Sequence, residues 1–252
     1  LGAGPGADAI VIAARGRTFF AGADLEELER GLARPGLLEL IEACDRVPLP
    51  VVAALHGTVY GGGMVVACAA DRRIAAEGTR FAMPEVSLGL LPTFGGTVFL
   101  TRWLGVEAAL SLIIDGAVWS TDAALHAGLI DAVVPFAALQ AHAQAIAEQR
   151  PARQRVRDAA RHREAVPESV ADAFARRRAH RAAHAPDFEA PAVCLDVMEQ
   201  GLGLPFEEPR TREEWARYLN SVSGMDLRFG KVLAQLRADG LEDDTIIIFF
   251  GD

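Results

Sequence analysis

Lysine is all but missing from this chain: Lys231 is the single lysine among 25 cationic residues, and arginine supplies the rest. A coding bias explains that as well as a chemical choice does, so it fixes no function. Cysteine is scarce too. Cys44, Cys68 and Cys194 lie far apart and fit no zinc spacing, which excludes a disulfide scaffold and leads us to expect a reducing, cytoplasmic setting with no bound metal. Positive charge is outweighed by 34 acidic residues, giving a formal net charge of −9. A polyanion is repelled at long range by such a surface, which argues against a general nucleic-acid binder. No apolar run approaches the ~18 residues of a membrane span, so no membrane partner is expected either. Apolar residues themselves are plentiful, at 51% of 252. That length and composition suit one large domain, or one domain plus part of a second, with a core of its own.

The first half alternates short β-rich runs with helical stretches. Residues 9–13 and 50–55 read as buried parallel strands, and residues 72–75 as a further strand. Helices are predicted over Asp24–Arg34, Leu37–Asp45 and Met64–Ala70, the last opened by Gly61-Gly62-Gly63. Strand, helix and strand in this rhythm make an α/β layered fold. From Ala108 to Arg150 the pattern turns mainly helical, apart from a short apolar run at residues 131–134. Residues 151–191 are rich in arginine and alanine and broken by Pro167 and Pro186. Ten arginines stand against four acids between Arg150 and His184. They read either as a solvated helical face or as a local anion site.

Two glycine-centred segments could carry chemistry. Phe20-Ala21-Gly22-Ala23-Asp24-Leu25 feeds a strand into a small-residue turn, with Asp24 placed to cap the next helix. His56-Gly57 through Gly61-Gly62-Gly63 again leads from a strand into a helix N-terminus. Side-chain-poor backbone at such a place lets a ligand reach free N–H groups, and two of them aimed at one carbonyl oxygen make an oxyanion hole. Ordinary tight turns are the plainer reading. The glycine spacing matches neither a dinucleotide-binding nor a P-loop pattern. A third segment, residues 80–96, holds Glu85 among Met83, Pro84 and Val86. A carboxyl in apolar surroundings suits acid/base work near neutrality, whereas a loop glutamate facing water would have no such role.

Taken together, Ala21-Gly22-Ala23-Asp24-Leu25, the run 50–57 with Gly61-Gly62-Gly63, Phe81 to Gly96, and Asp115-Gly116 with residues 123–135 resemble the crotonase superfamily of enoyl-CoA hydratases and isomerases. Residues 192–207 resemble the tail of the hydratase part of multifunctional fatty-acid oxidation enzymes. The resemblance spans about residues 1–208. It implies an α/β, crotonase-like ββα spiral core over 1–135, short at its N-terminal side, and a helical C-terminal region over 136–208. It further implies an acyl-CoA thioester substrate, with coenzyme A as part of that substrate and no separate cofactor, and a homotrimeric assembly. By position the oxyanion donors fall on the backbone of Ala23 and Gly62. Glu85 takes the acid/base position, and Ala21, Ala23, Asp24, Leu25, Gly61, Gly62 and Pro84 line the substrate.

The departures shape the expected chemistry. Hydratases of this kind carry a second glutamate just after the glycine triplet, where this chain has Val65. Hydration divides its work between two carboxyls, whereas moving a double bond needs one base. The resemblance therefore implies isomerisation ahead of hydration. Thioester hydrolysis is the enzymatic alternative, although that branch has an aspartate where Thr93 stands, and a non-catalytic acyl-CoA binder is the other. Arginines 153, 155, 157 and 161 are the candidates for the phosphates of coenzyme A.

Residues 209–252 do not continue the pattern. A long helix over Glu213–Asp239 and a strand over Thr245–Phe250 resemble a helix–strand unit of sulfatases. No Cys-x-Pro-x-Arg nucleophile motif occurs, and one carboxylate at Asp252 does not hold a catalytic divalent ion, so sulfatase activity is not expected. The segment reads as an appended fragment.

Overall fold

The computed structural model describes residues 7–22, 36–88, 91–92, 96–153, 167–184 and 189–202. The helix expected over Asp24–Arg34, and the helix and strand expected after residue 212, lie outside these residues. In chain order the elements are β1 (Ile10–Ala13), α1 (Leu37–Arg46), β2 (Val51–Leu55), β3 (Thr58–Tyr60), α2 (Gly62–Ala69), β4 (Arg72–Ala76) and β5 (Arg80–Ala82). A 3-10 turn (Glu85–Leu88) leads to α3 (Gly96–Leu104), α4 (Val106–Ile113) and α5 (Thr121–His126). Then come β6 (Ala132–Val134), a 3-10 turn (Phe136–Ala138), α6 (Leu139–Glu148), α7 (Pro167–His184) and α8 (Glu189–Leu202).

Strands β1, β2, β4 and β6 form one all-parallel sheet in the order β1-β2-β4-β6. Ile10 faces Val51, Val52 faces Arg72, and Ile74 faces Ala132 across its ladders. Every residue of the apolar run β2 is buried, as a central parallel strand covered on both faces requires. One face holds Val52, Ala54, Ile74 and Ala76 against Leu139, Ala143 and Ala147 of α6. The other face carries the larger core, to which α2, α3, α4, α7 and α8 contribute. Helix α1 ends where Val47 precedes Pro48, because the residue before a proline is pushed out of helical geometry.

Two carboxylates, the buried Asp71 and the exposed Asp131, fix the ends of strands. Asp71 Oδ2 accepts the Val51 N–H at 2.7 Å, and Asp131 Oδ2 accepts the Arg73 N–H at 2.7 Å. The Arg73 side chain is itself buried. It lies 4.4 Å over the Trp103 ring, donates to Ala70 O at 2.8 Å and sits 3.3 Å from Asp131. Burial lowers its proton affinity, and the Asp131 carboxylate works the other way.

A second sheet was not expected from the sequence. Strands β3 and β5 pair in parallel, with Thr58 opposite Arg80 and Tyr60 opposite Ala82. Phe20 bridges to Val59 on one side, and Trp119 bridges to Phe81 on the other. This small sheet is what brings the glycine-rich helix start and the Glu85 turn together.

Candidate active site

The site begins at the ends of β3 and β5. Because Tyr60 lies opposite Ala82 in a parallel pair, the segments that follow the two strands leave the same end of the sheet. One leads through Gly61 into α2, and the other through Met83 and Pro84 to Glu85. The Gly61 N–H donates to Ala82 O at 3.0 Å and ties the two exits together. Gly61 turns at φ 53° and ψ −119°, a backbone state that a side chain disfavours.

Gly62 and Gly63 occupy the first turn of α2, where helix geometry gives backbone N–H groups no acceptor. The helix dipole adds partial positive charge at that end. The glycines serve close approach. A Cβ on Gly63 would stand 2.7 Å from Phe20 Cβ, and one on Gly62 would stand 2.9 Å from Leu37 Cδ2. Phe20 is anchored in turn: its N–H donates to Thr58 O at 3.2 Å and its carbonyl accepts from Tyr60 N at 3.0 Å. The helix start is therefore packed directly on the strand-like segment that continues into Ala21 and Gly22. Gly22 has φ 143°, so the chain turns there with the freedom of glycine. Ala23, Asp24 and Leu25 lie outside the described residues.

Glu85 opens the 3-10 turn and is 4% exposed, so it is not a loop glutamate facing water. Helix α8 packs over this turn. Its Cys194 is fully buried, and both burial and the Glu85 charge push the thiol upward. Pro84, beside Glu85, is half-buried.

Val65, one turn into α2, is 2% exposed. A Cβ built on Gly96 would lie 2.9 Å from Met83 Cε, 3.3 Å from Pro92 Cβ and 3.5 Å from Val65 Cγ2. Val65, Met83 and Pro92 thus close around the start of α3 as one apolar wall, and Met83 stands two residues before Glu85 in the chain. The sequence offered Val65 as a missing carboxyl. It gave no signal for the wall, whose three members come from three separate segments.

The arginine tract divides. Arg153 donates to the Asp45 carbonyl at 2.7 Å, while Arg155, Arg157 and Arg161 lie outside the described residues. On α7, Arg176 and Arg177 pair with Glu107, Arg177 also with Asp115 at 3.0 Å, and Arg178 with Asp196 and Glu199 at 2.7 Å. Those guanidinium groups bind α7 to α4 and α8. Among the described residues no group of three histidine, cysteine or acidic side chains is arranged to hold a metal ion.

Comparison with known proteins bears on this geometry. The enoyl-CoA hydratase/isomerase family model matches residues 3–189. A sulfatase model matches residues 136–252, beginning well before residue 212 and overlapping the first match. The peroxisomal bifunctional enzyme of Danio rerio is 41% identical over 129 residues, which is 51% of this chain and 18% of that protein. A Bacillus subtilis protein described as "probable enoyl-CoA hydratase" is 40% identical over 132 residues, 50% of this chain and 51% of its own length. The alignments thus span about half of one curated relative and under a fifth of the other. The crystal structure of enoyl-CoA hydratase from Bacillus anthracis superposes with a TM-score of 0.51 at 28% identity, covering 77% of this chain and 72% of that one.

Proposed function

Because the chain belongs to the enoyl-CoA hydratase/isomerase family, we propose that it acts on an acyl-CoA thioester and moves a carbon–carbon double bond within the acyl group. The thioester oxygen would accept hydrogen bonds from the Ala23 and Gly62 N–H groups. That polarisation acidifies the α-carbon, and loss of one such donor typically costs ~2.7–4 kcal/mol of barrier. Glu85 would take a proton from the α-carbon of a 3-enoyl thioester. The electron pair passes into the thioester enolate, and the same proton returns at the γ-carbon to leave the 2-enoyl thioester.

The observation that carries this reading is Val65. It stands on α2 as part of a closed apolar wall with Met83, Pro92 and Gly96. Activating water there would need a base, and valine has none. One carboxyl suffices for a proton shuttle between two carbons. The experiment is a side-by-side assay of 3-enoyl-CoA isomerisation and 2-enoyl-CoA hydration on the same preparation. Isomerisation well above hydration is expected; hydration as the faster reaction would sink the Val65 argument. Binding of a saturated acyl-CoA without either turnover would make the protein a binder. Release of free thiol would make it a thioester hydrolase. Assembly as a homotrimer is part of the same reading, and light scattering over a range of concentrations tests it.

A further inference from the structure

The hydroxyl of Thr18 spends its hydrogen-bonding capacity on one residue, Thr58. Its proton goes to the Thr58 carbonyl at 2.8 Å, and its oxygen accepts the Thr58 N–H, also at 2.8 Å. The Thr58 hydroxyl stands against the same oxygen. With the Thr18 proton directed at the carbonyl, the Thr58 O–H is the donor in that contact. One donor and two acceptor sites are all that a hydroxyl has. In a parallel ladder the Thr58 N–H would pair with the Thr18 carbonyl, as the Tyr60 N–H pairs with the Phe20 carbonyl at 3.0 Å. Here the side chain takes the place of the main chain.

The two backbones are pressed together at the same place. A Cβ on Gly57 would collide with Arg17 O and stand 2.8 Å from Thr18 Cα. The Phe19 N–H donates to His56 O at 2.8 Å, and the Phe20 N–H to Thr58 O at 3.2 Å. Just beyond this lock the two chains lead to the proposed site. Phe20 packs on the Gly62-Gly63 start of α2, and its chain continues through Gly22 towards Ala23. Strand β3 continues through Gly61 into Gly62. Two N–H donors serve one oxygen only when both come within ~2.7–3.1 Å of it, so a slip of one chain along the other costs a hydrogen bond. Apolar contact resists such a slip weakly, whereas directional hydrogen bonds resist it well.

We infer that Thr18 is a positioning residue for the oxyanion hole: its hydroxyl locks residues 18–20 to β3 and so sets the offset between the chains that lead to Ala23 and Gly62. The inference rests on the proposed acyl-CoA reading, which puts the two donors on those residues. Thr18 acts through the backbone rather than on the substrate. The infrared band of butyryl-CoA, isotopically labelled at its carbonyl carbon and bound to the full chain, tests this without turnover. Binding to the parent should move the thioester carbonyl band to lower frequency. Thr18→Val and Thr18→Ala, which remove the hydroxyl with and without keeping the shape, should each lose half or more of that shift. Thr18→Ser should restore it. Thr79→Val removes a different buried bond, from Thr79 Oγ1 to Ala76 O at 2.6 Å, and should lower the folding midpoint while leaving the band where the parent has it. A parent-like band in Thr18→Val and Thr18→Ala would overturn the inference, as would an equal loss of shift in Thr18→Ser or Thr79→Val. An unshifted band in the parent would instead remove the oxyanion hole, and the underlying reading would fall with it.

Discussion

Glu85 is buried in the turn over which α8 packs, and a carboxyl shielded from bulk water is what the proposed proton transfer needs. Glu85→Gln keeps its shape and removes its acid/base chemistry. On the proposed reading it should lower isomerase turnover by ~10²–10⁴-fold, the usual contribution of a positioned general base, while acyl-CoA affinity measured by calorimetry stays close to that of the parent. Undiminished turnover would remove Glu85 from the mechanism. The buried thiols make a second prediction at this scale. Burial raises Cys68 from its ordinary value of 9.0 to about 11, against the opposing pull of Arg73. Between those values the unfolded chain releases a proton that the folded chain keeps. The unfolded state then binds fewer protons, so stability is intact below pH 9 and falls as pH rises towards 11. Urea midpoints measured between pH 8.5 and 10.5 should decline, and more gently in Cys68→Ala. Equal slopes would assign the decline to other groups.

Among the elements, the docking of α2 on the Phe20 segment decides whether a site exists. Gly63→Ala places a methyl group 2.7 Å from Phe20 Cβ and 3.0 Å from the Phe20 carbonyl. Overpacking of this kind costs ~1–3 kcal/mol, and the shift falls on the backbone that leads to Ala23. Acyl-CoA binding should therefore drop more than the folding midpoint does. A variant that loses stability but binds normally would show that the glycine serves packing alone. The α4–α7 seam makes the opposite prediction. Arg176 and Glu107 are both largely solvent-exposed, so Arg176→Ala should change stability by less than ~1 kcal/mol in a denaturant titration. The elements also differ in how far the sequence revealed them. The apolar runs of β1 and β2, the strand β4 and the glycine-opened α2 were legible from pattern and breakers. Strands β3 and β5 were not, because three residues carry no period and their pairing joins positions 58 and 80.

For the whole molecule, the folded domain includes α8. Cys194, Leu195 and Met198 are buried in the main core, and this helix covers the Glu85 turn. On the proposed reading, a chain ending at residue 211 should keep acyl-CoA binding in calorimetry. Loss of binding on that truncation would tie the remaining segment to the site. What the sequence determined by itself was local or compositional: an α/β order of elements, a glycine triplet at a helix start, a carboxyl at position 85 and a valine at position 65. These rest on residue type and on spacing within one element, which the chain carries along its own length. What only the tertiary structure decided was which surfaces meet. Phe20 presses on Gly63, Val65 closes against Met83 and Gly96, and a helix more than a hundred residues downstream buries Glu85. Periodicity tells a segment which face to bury but not against what, and a site assembled from separate segments depends on that second choice.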